Sequence, residues 1–164
     1  MSDCCISLIK IAPEDFEPFR ALTGNEQVMA RITERALTEG EARKKFDDML
    51  QNSRLDPLLG SFRVIEKESR GLAGFAKLEI TPEQSEEAEL GFMLMPEFWG
   101  RGLGGEIARS LLDVARSHPG LKRVWAVIDP VNTASRKILL NNGFVSEKKG
   151  VIDGLPSEIF TLSV

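Results

Sequence analysis

The sequence predicts a single α/β domain, residues 1–164, built on a mixed, mostly antiparallel, twisted sheet flanked by helices. Three observations carry this. The chain has 164 residues with 42% hydrophobic and 28% charged side chains, the length and make-up of one soluble domain with a sizeable core. Its first half contains strands joined by a tight turn, without strand–helix–strand crossovers, which favours antiparallel pairing. Its second half runs apolar strand, glycine loop, amphipathic helix, apolar strand and short helix. No repeat, linker or low-complexity stretch suggests a second domain.

In order along the chain, "CCISLIKIAP" reads as a first strand closed by Pro13. From Glu14 to about Leu55 the pattern is polar and helical, and Ala42, Phe46, Met49 and Leu50 fall on one face at i, i+4, i+7, i+8 spacing. "SFRVIEKESRGLAGFAKLEIT" reads as two strands around a Glu68–Gly71 turn. "EAELGFMLMP" is almost wholly apolar, as expected for a strand buried on both faces. Ile107, Ala108, Leu111, Leu112 and Ala115 share one face of the helix after the glycines. "RVWAVIDP" is another buried strand. "NTASRKILLNNGF" is a helix with Asn132 as N-cap and Gly143 as its stop, and the last strand lies in "SEIFTLSV".

Composition excludes several functions. A net charge of −4 argues against a nucleic-acid surface. The N-terminal apolar run is short, broken at Lys10 and lacks a small-residue cleavage site, so it reads as neither signal peptide nor membrane span. Cys4 and Cys5 are adjacent, which makes a disulfide between them strained; with no disulfide framework, a reducing cytoplasm fits. The one histidine, His118, lies in a turn after a helix and reads as a surface residue. With one His and two adjacent Cys, no metal site is expected.

The stretch "EFWGRGLGGEIARSLLDVA" carries four glycines, Gly100, Gly102, Gly104 and Gly105, directly before an amphipathic helix. Such a loop presents backbone N–H groups to a phosphate. A Walker loop needs Lys and Ser/Thr after its last glycine, but Glu106 and Ile107 stand there. Gly100, Gly102 and Gly105 formally spell the dinucleotide fingerprint, with Asp129 ending the next strand. Against that reading, Pro96 to Trp99 separate the strand from the first glycine, and the first half of the chain lacks βαβ crossovers.

"LGFMLMPEFWGRGLGGEIARSLLDVA" followed by "VWAVIDPVNTASRKILLNNGF" resembles the GNAT superfamily of N-acetyltransferases, and within it the ribosomal-protein N-terminal (alanine/serine) acetyltransferases. The match spans about Glu87 to Phe144. Trp99-Gly100-Arg101-Gly102-Leu103-Gly104 fills the family signature [QR]-x-x-G-x-[GA], with Trp in first position as is common in that branch. The N-x-x-S helix start and the "NNGF" ending form a second motif.

The resemblance implies acetyl-CoA as co-substrate, no metal, and a sheet split between central strands near Met95. It places the backbones of Phe92, Met93 and Leu94 along the pantetheine arm and the amides of Gly100, Arg101, Gly102, Leu103, Gly104 and Gly105 on the pyrophosphate. It adds Asn132 as a pantetheine contact, Lys137 (with Arg136) near the ribose 3′-phosphate, and the Ser135 hydroxyl near the thioester sulfur. The tyrosine that often acts as general acid is replaced by Leu139, and the chain has no tyrosine. Glu89 is then the candidate base. The acceptor is a primary amine: a peptide N-terminal α-amine, or a small molecule such as a polyamine, amino acid or antibiotic. A degenerate acyl-CoA-binding module is the non-enzymatic alternative. Neither nucleic acid nor membrane is expected as partner, and the chain is read as monomer or homodimer. Acceptor recognition is expected in the helices between Glu14 and Leu55 and in a loop at Val151–Pro156. Gly104→Glu is expected to abolish acetyl-CoA binding with much less effect on stability.

Overall fold

Seven strands form one sheet in the computed structural model, which describes residues 4–30 and 32–164: β1 (Ile6–Lys10), β2 (Gly60–Glu66), β3 (Leu72–Glu79), β4 (Glu87–Leu94), β5 (Arg123–Ile128), β6 (Val145–Ile152) and β7 (Leu155–Ser163). Their order is β1-β2-β3-β4-β5-β7-β6. Every neighbouring pair is antiparallel except β4 and β5. Those two flank α4 (Leu103–Ser117), the crossover that a parallel pair requires.

Helices cover both faces. On one, α4 lays Ile107, Leu111 and Leu112 against Val64, Leu78, Leu90, Val124 and Phe160. On the other, α1 (Phe16–Thr23), the single turn α2 (Glu26–Met29) and α3 (Glu39–Asn52) close over β3. Phe19 is the hinge of that second core: its ring lies 5.4 Å from Phe46 of α3 and 5.4 Å, edge-on, from Phe75 of β3. Thr38 caps α3 by accepting from the Glu41 N–H, and Glu41 accepts from the Thr38 N–H in return. α5 (Thr133–Asn141) starts at Asn132, whose side chain accepts from the Ser135 N–H, and stops before Gly143 at φ +91°. Among the described residues no helix is long and apolar enough to cross a membrane.

Four readings of the sequence change. β6 was invisible because "VSEKKGVI" is exposed along its whole length and carries no apolar alternation. The Val151–Pro156 "loop" is the tip of the β6–β7 hairpin, turning at Asp153 (φ +51°) and Gly154 (φ +78°), the two positive φ angles of a type I′ turn. β4 is not buried on both faces. From Gly91 onward it is half-exposed, because its second half borders a cleft. His118 is a half-buried tether, not a free surface residue: its side chain is 12% exposed, Nε2 lies 2.7 Å from Asp56 Oδ2, and Nδ1 accepts from the Gly120 N–H.

Candidate active site

The parallel pair β4–β5 holds register only at Glu87↔Arg123, Ala88↔Val124 and Glu89↔Trp125. Beyond Glu89 the strands part, while β4 stays paired to β3 as far as Gly74↔Leu94 and β5 stays paired to β7 as far as Ile128↔Glu158. The split therefore opens at Glu89, well before Met95. It leaves an unpaired backbone edge on each strand where a ligand with amides can bind as an added strand. A cleft of about 550 Å³ fills the fork, within the usual range for small-molecule sites.

The start of α4 adjoins the fork through Gly104, which lies against the Phe92 ring of β4, while none of Gly100 to Gly105 itself lines the cleft. Gly100 (φ +72°) and Gly102 (φ +77°) take left-handed conformations that other residues adopt at a cost. Gly102 is the N-cap and no side chain caps the helix, so the first-turn N–H groups are left for an anion. Gly104 has a different reason to be glycine. A Cβ there would stand 2.8 Å from Ile138 Cδ1 and 3.1 Å from the Phe92 ring, so its role is close packing of α4 against α5 and β4. Gly105 is under no such constraint, its nearest neighbour being the mobile end of Arg109 at 3.4 Å.

Charged side chains from α3, β3 and β4 line part of the cleft, among apolar residues of β3, β5 and the β6–β7 hairpin. Lys77 Nζ lies 3.1 Å from Glu89 Oε1. Gly91 makes this possible, since a Cβ there would meet the Lys77 stem at 3.0 Å. Next to them, Glu79 accepts from Ser61 Oγ at 3.3 Å. Lys45 of α3 also lines the cleft. The residue is open, but its ammonium sits in a protein-walled concavity. Burial, and then repulsion by Lys77, push its pKa down against the pull of Glu79 and Glu89.

Of the residues singled out by sequence, Glu89, Phe92, Met93, Asn132 and Ser135 meet along the cleft, with Leu139 buried among them. Leu94 does not line it, and its carbonyl accepts from the Trp99 indole N–H at 2.9 Å. That contact gives the tryptophan a local task, pinning the end of β4 to the glycine loop. The Arg101 side chain turns away to Glu66 and lies over Phe98. Leu103 is buried in the core. The Arg136 guanidinium is bidentate to the buried Glu158 at 3.2 Å, which leaves Lys137 exposed on the same helix. Sequence reasoning missed Lys45, Lys77 and Glu79. Glu79 stands directly opposite Glu89 and Lys77 opposite Gly91 in the β3–β4 pairing, a register no local pattern encodes.

Residues 6–145 match the acetyltransferase (GNAT) domain family. An uncharacterised N-acetyltransferase of Bacillus licheniformis, p20, is 24% identical over 147 residues, covering 90% of this chain and 82% of that protein. The spermidine N-acetyltransferase of Vibrio cholerae, solved with CoA and spermine, is 17% identical with a TM-score of 0.79 over 98% of this chain and 96% of that one. The ribosomal L7/L12 α-N-protein acetyltransferase, solved with coenzyme A, is 14% identical with a TM-score of 0.80 over 99% and 96%. Proteins named for quite different acceptors therefore share this fold to the same degree, and the fold does not choose between them.

Proposed function

The chain belongs to the GNAT acetyltransferase family, and from that premise we propose that it transfers acetyl from acetyl-CoA to a primary α-amine by direct attack in a ternary complex. The observation that carries this is the fork at Glu89–Trp125 with the uncapped start of α4 beside it. An unpaired strand edge suits the amides of a pantetheine arm, and an uncapped helix N-terminus suits a pyrophosphate. The residues fit the group in a further respect: Asn132 and Ser135 begin α5 along the same cleft.

Acetyl-CoA supplies a thioester whose carbonyl carbon the amine attacks, forming the C–N bond as the C–S bond breaks. Glu89 takes the amine proton, directly or through one water, from its place at the fork. An α-amine has a pKa near 7.7–8.0, so roughly a tenth or more is neutral at pH 7 and little base strength is needed. The leaving thiolate, whose thiol resembles cysteine with a pKa of about 8.5, needs one hydrogen bond. Ser135 gives it, since Leu139 cannot. Lys77 holds the Glu89 carboxylate on the cleft wall.

A protein N-terminus and a small-molecule amine are both compatible with this chemistry, and the charged wall of the cleft favours the small molecule as second reading. Calorimetry with coenzyme A and amine-dependent thiol release from acetyl-CoA test the proposal together. Micromolar binding with release only when an amine is added is the expected result. Binding without release under any amine would leave a sensor, and no binding would overturn the coenzyme reading.

A further inference from the structure

Seven charged groups line the cleft, the cations Lys45 and Lys77 and the acids Glu34, Glu79, Glu89, Asp129 and Asp153. They are not matched in pairs. Lys77 and Glu89 neutralise each other at 3.1 Å, and among the described residues Glu79 has only the Ser61 hydroxyl as hydrogen-bond partner. Lys45 has neither an ion-pair nor a hydrogen-bond partner among the described residues, although Glu79 and Glu89 are near enough to attract its charge. Lys45 is exposed at the cleft wall, so a ligand carboxylate can reach it without displacing a protein partner. Of the acids of the lining, Glu79 and Glu89 act on the Lys45 charge, not Glu34, Asp129 or Asp153.

We infer that the acceptor is zwitterionic, a primary amine with a carboxylate within a few bonds, and that Lys45 binds this carboxylate while the amine faces Glu79 and Glu89. The inference rests on the acetyl-transfer reading and narrows its acceptor. A polycation meets the acids of the lining but is repelled by Lys45 and Lys77 and leaves Lys45 without a counter-ion. A simple amine leaves Lys45 unanswered. An α-amino acid, or a peptide whose first side chains include Asp or Glu, answers both ends. Lys45 is one helical turn before Met49, which lines the same cleft, so the stem of an acceptor has an apolar surface between the charges.

The test uses the full chain, acetyl-CoA and four probe sets: free L-amino acids, the matching amino-acid amides, tripeptide amides beginning with Ala, Ser or Asp, and spermidine. Thiol release gives kcat/KM, and calorimetry on protein saturated with coenzyme A gives an independent affinity for the same probes. The best acid should exceed its amide by about 10- to 100-fold, the worth of a charge-assisted hydrogen bond. In Lys45→Met that ratio should collapse towards one, and in Lys45→Arg most of it should survive. Preference among the tripeptides for Asp, lost in Lys45→Met, would identify a peptide as the source of the carboxylate. Equal rates and affinities for acid and amide, a ratio unchanged in Lys45→Met, or spermidine as best acceptor would each overturn the inference. Thiol release with other amines would then leave acetyl transfer standing, whereas loss of coenzyme A binding itself strikes the underlying reading.

Discussion

The two sides of the cleft are made of different material. Where the coenzyme is proposed to bind, the working parts are backbone: the open edge of β4 and the first turn of α4, shaped by Gly100 and Gly102 at positive φ. Where the acceptor is proposed to bind, they are long charged side chains from α3, β3 and β4, placed by strand register and by the gap at Gly91. A backbone site accepts substitution at most side chains and fails only where conformation or close packing fails. A side-chain site can be rewritten one charge at a time. One family fold with many acceptors is what this division allows.

The largest effect separates packing from ligand contact on the coenzyme side. Gly104→Glu should cost about 3 kcal/mol or more, because the new Cβ meets Ile138 and Phe92 and the carboxylate is carried into the interface of α4, α5 and β4. This revises the expectation from sequence that stability would change far less than acetyl-CoA affinity. Denaturant unfolding checks it. Wild-type stability in this variant would mean that α4 and α5 are less tightly packed than described.

On the acceptor side, Glu89→Gln should lower kcat by roughly ten- to a thousandfold, the smaller losses corresponding to an acceptor already partly neutral. Raising the pH should restore part of the rate, since more of the amine is then neutral without help. Steady-state rates across pH 6 to 9 decide it, and wild-type rates throughout would reduce Glu89 to a partner for Lys77.

Gly105→Asp is the complement of Gly104→Glu. Its Cβ has room, and an acid in the first turn of a helix favours the macrodipole, so stability should stay within about 0.5 kcal/mol of wild type. The same carboxylate competes with a pyrophosphate for the first-turn amides, and coenzyme A affinity by calorimetry should fall about 10- to 100-fold. Unchanged affinity would place the pyrophosphate somewhere other than the start of α4.

This contrast also explains what the sequence revealed. A glycine cluster before an amphipathic helix, an Asn cap and a glycine stop are local signals, because each acts on the backbone within a few residues. From them α4, α5 and the strands around them were legible. Lys45, Lys77 and Glu79 were not, since they meet Glu89 only through β3–β4 register and the docking of α3. β6 escaped for another reason: an exposed edge strand full of charge has no apolar face to announce it. His118 looked like surface because its partner, Asp56, lies far away in sequence within the α3–β2 connection.

The smallest effect concerns how the acceptor side is anchored. α3, which carries Lys45, begins with Glu41 accepting from the Thr38 N–H at 3.0 Å and from both guanidinium nitrogens of Arg35 at 2.8 and 2.6 Å. The Arg35 hydrogen bonds first, and the Thr38 amide after them, lower the Glu41 carboxyl from 4.5 to about 2. A depressed carboxylate stabilises the fold fully above its unfolded pKa, and that contribution disappears as pH falls from about 4.5 towards 2. The group is exposed and the change in global stability should be slight, so the reading is local: the Thr38 and Glu41 amide signals in NMR should titrate with a midpoint near 2. Arg35→Ala should move that midpoint back towards 4.5. At the start of α4, by contrast, no side chain caps the helix, so acid should disturb the first turn of α3 before that of α4. A Glu41 midpoint near 4.5 in the unaltered protein would show that the Arg35 clamp does not persist in solution, and with it would go the rigid mounting on which Lys45 reaches the cleft.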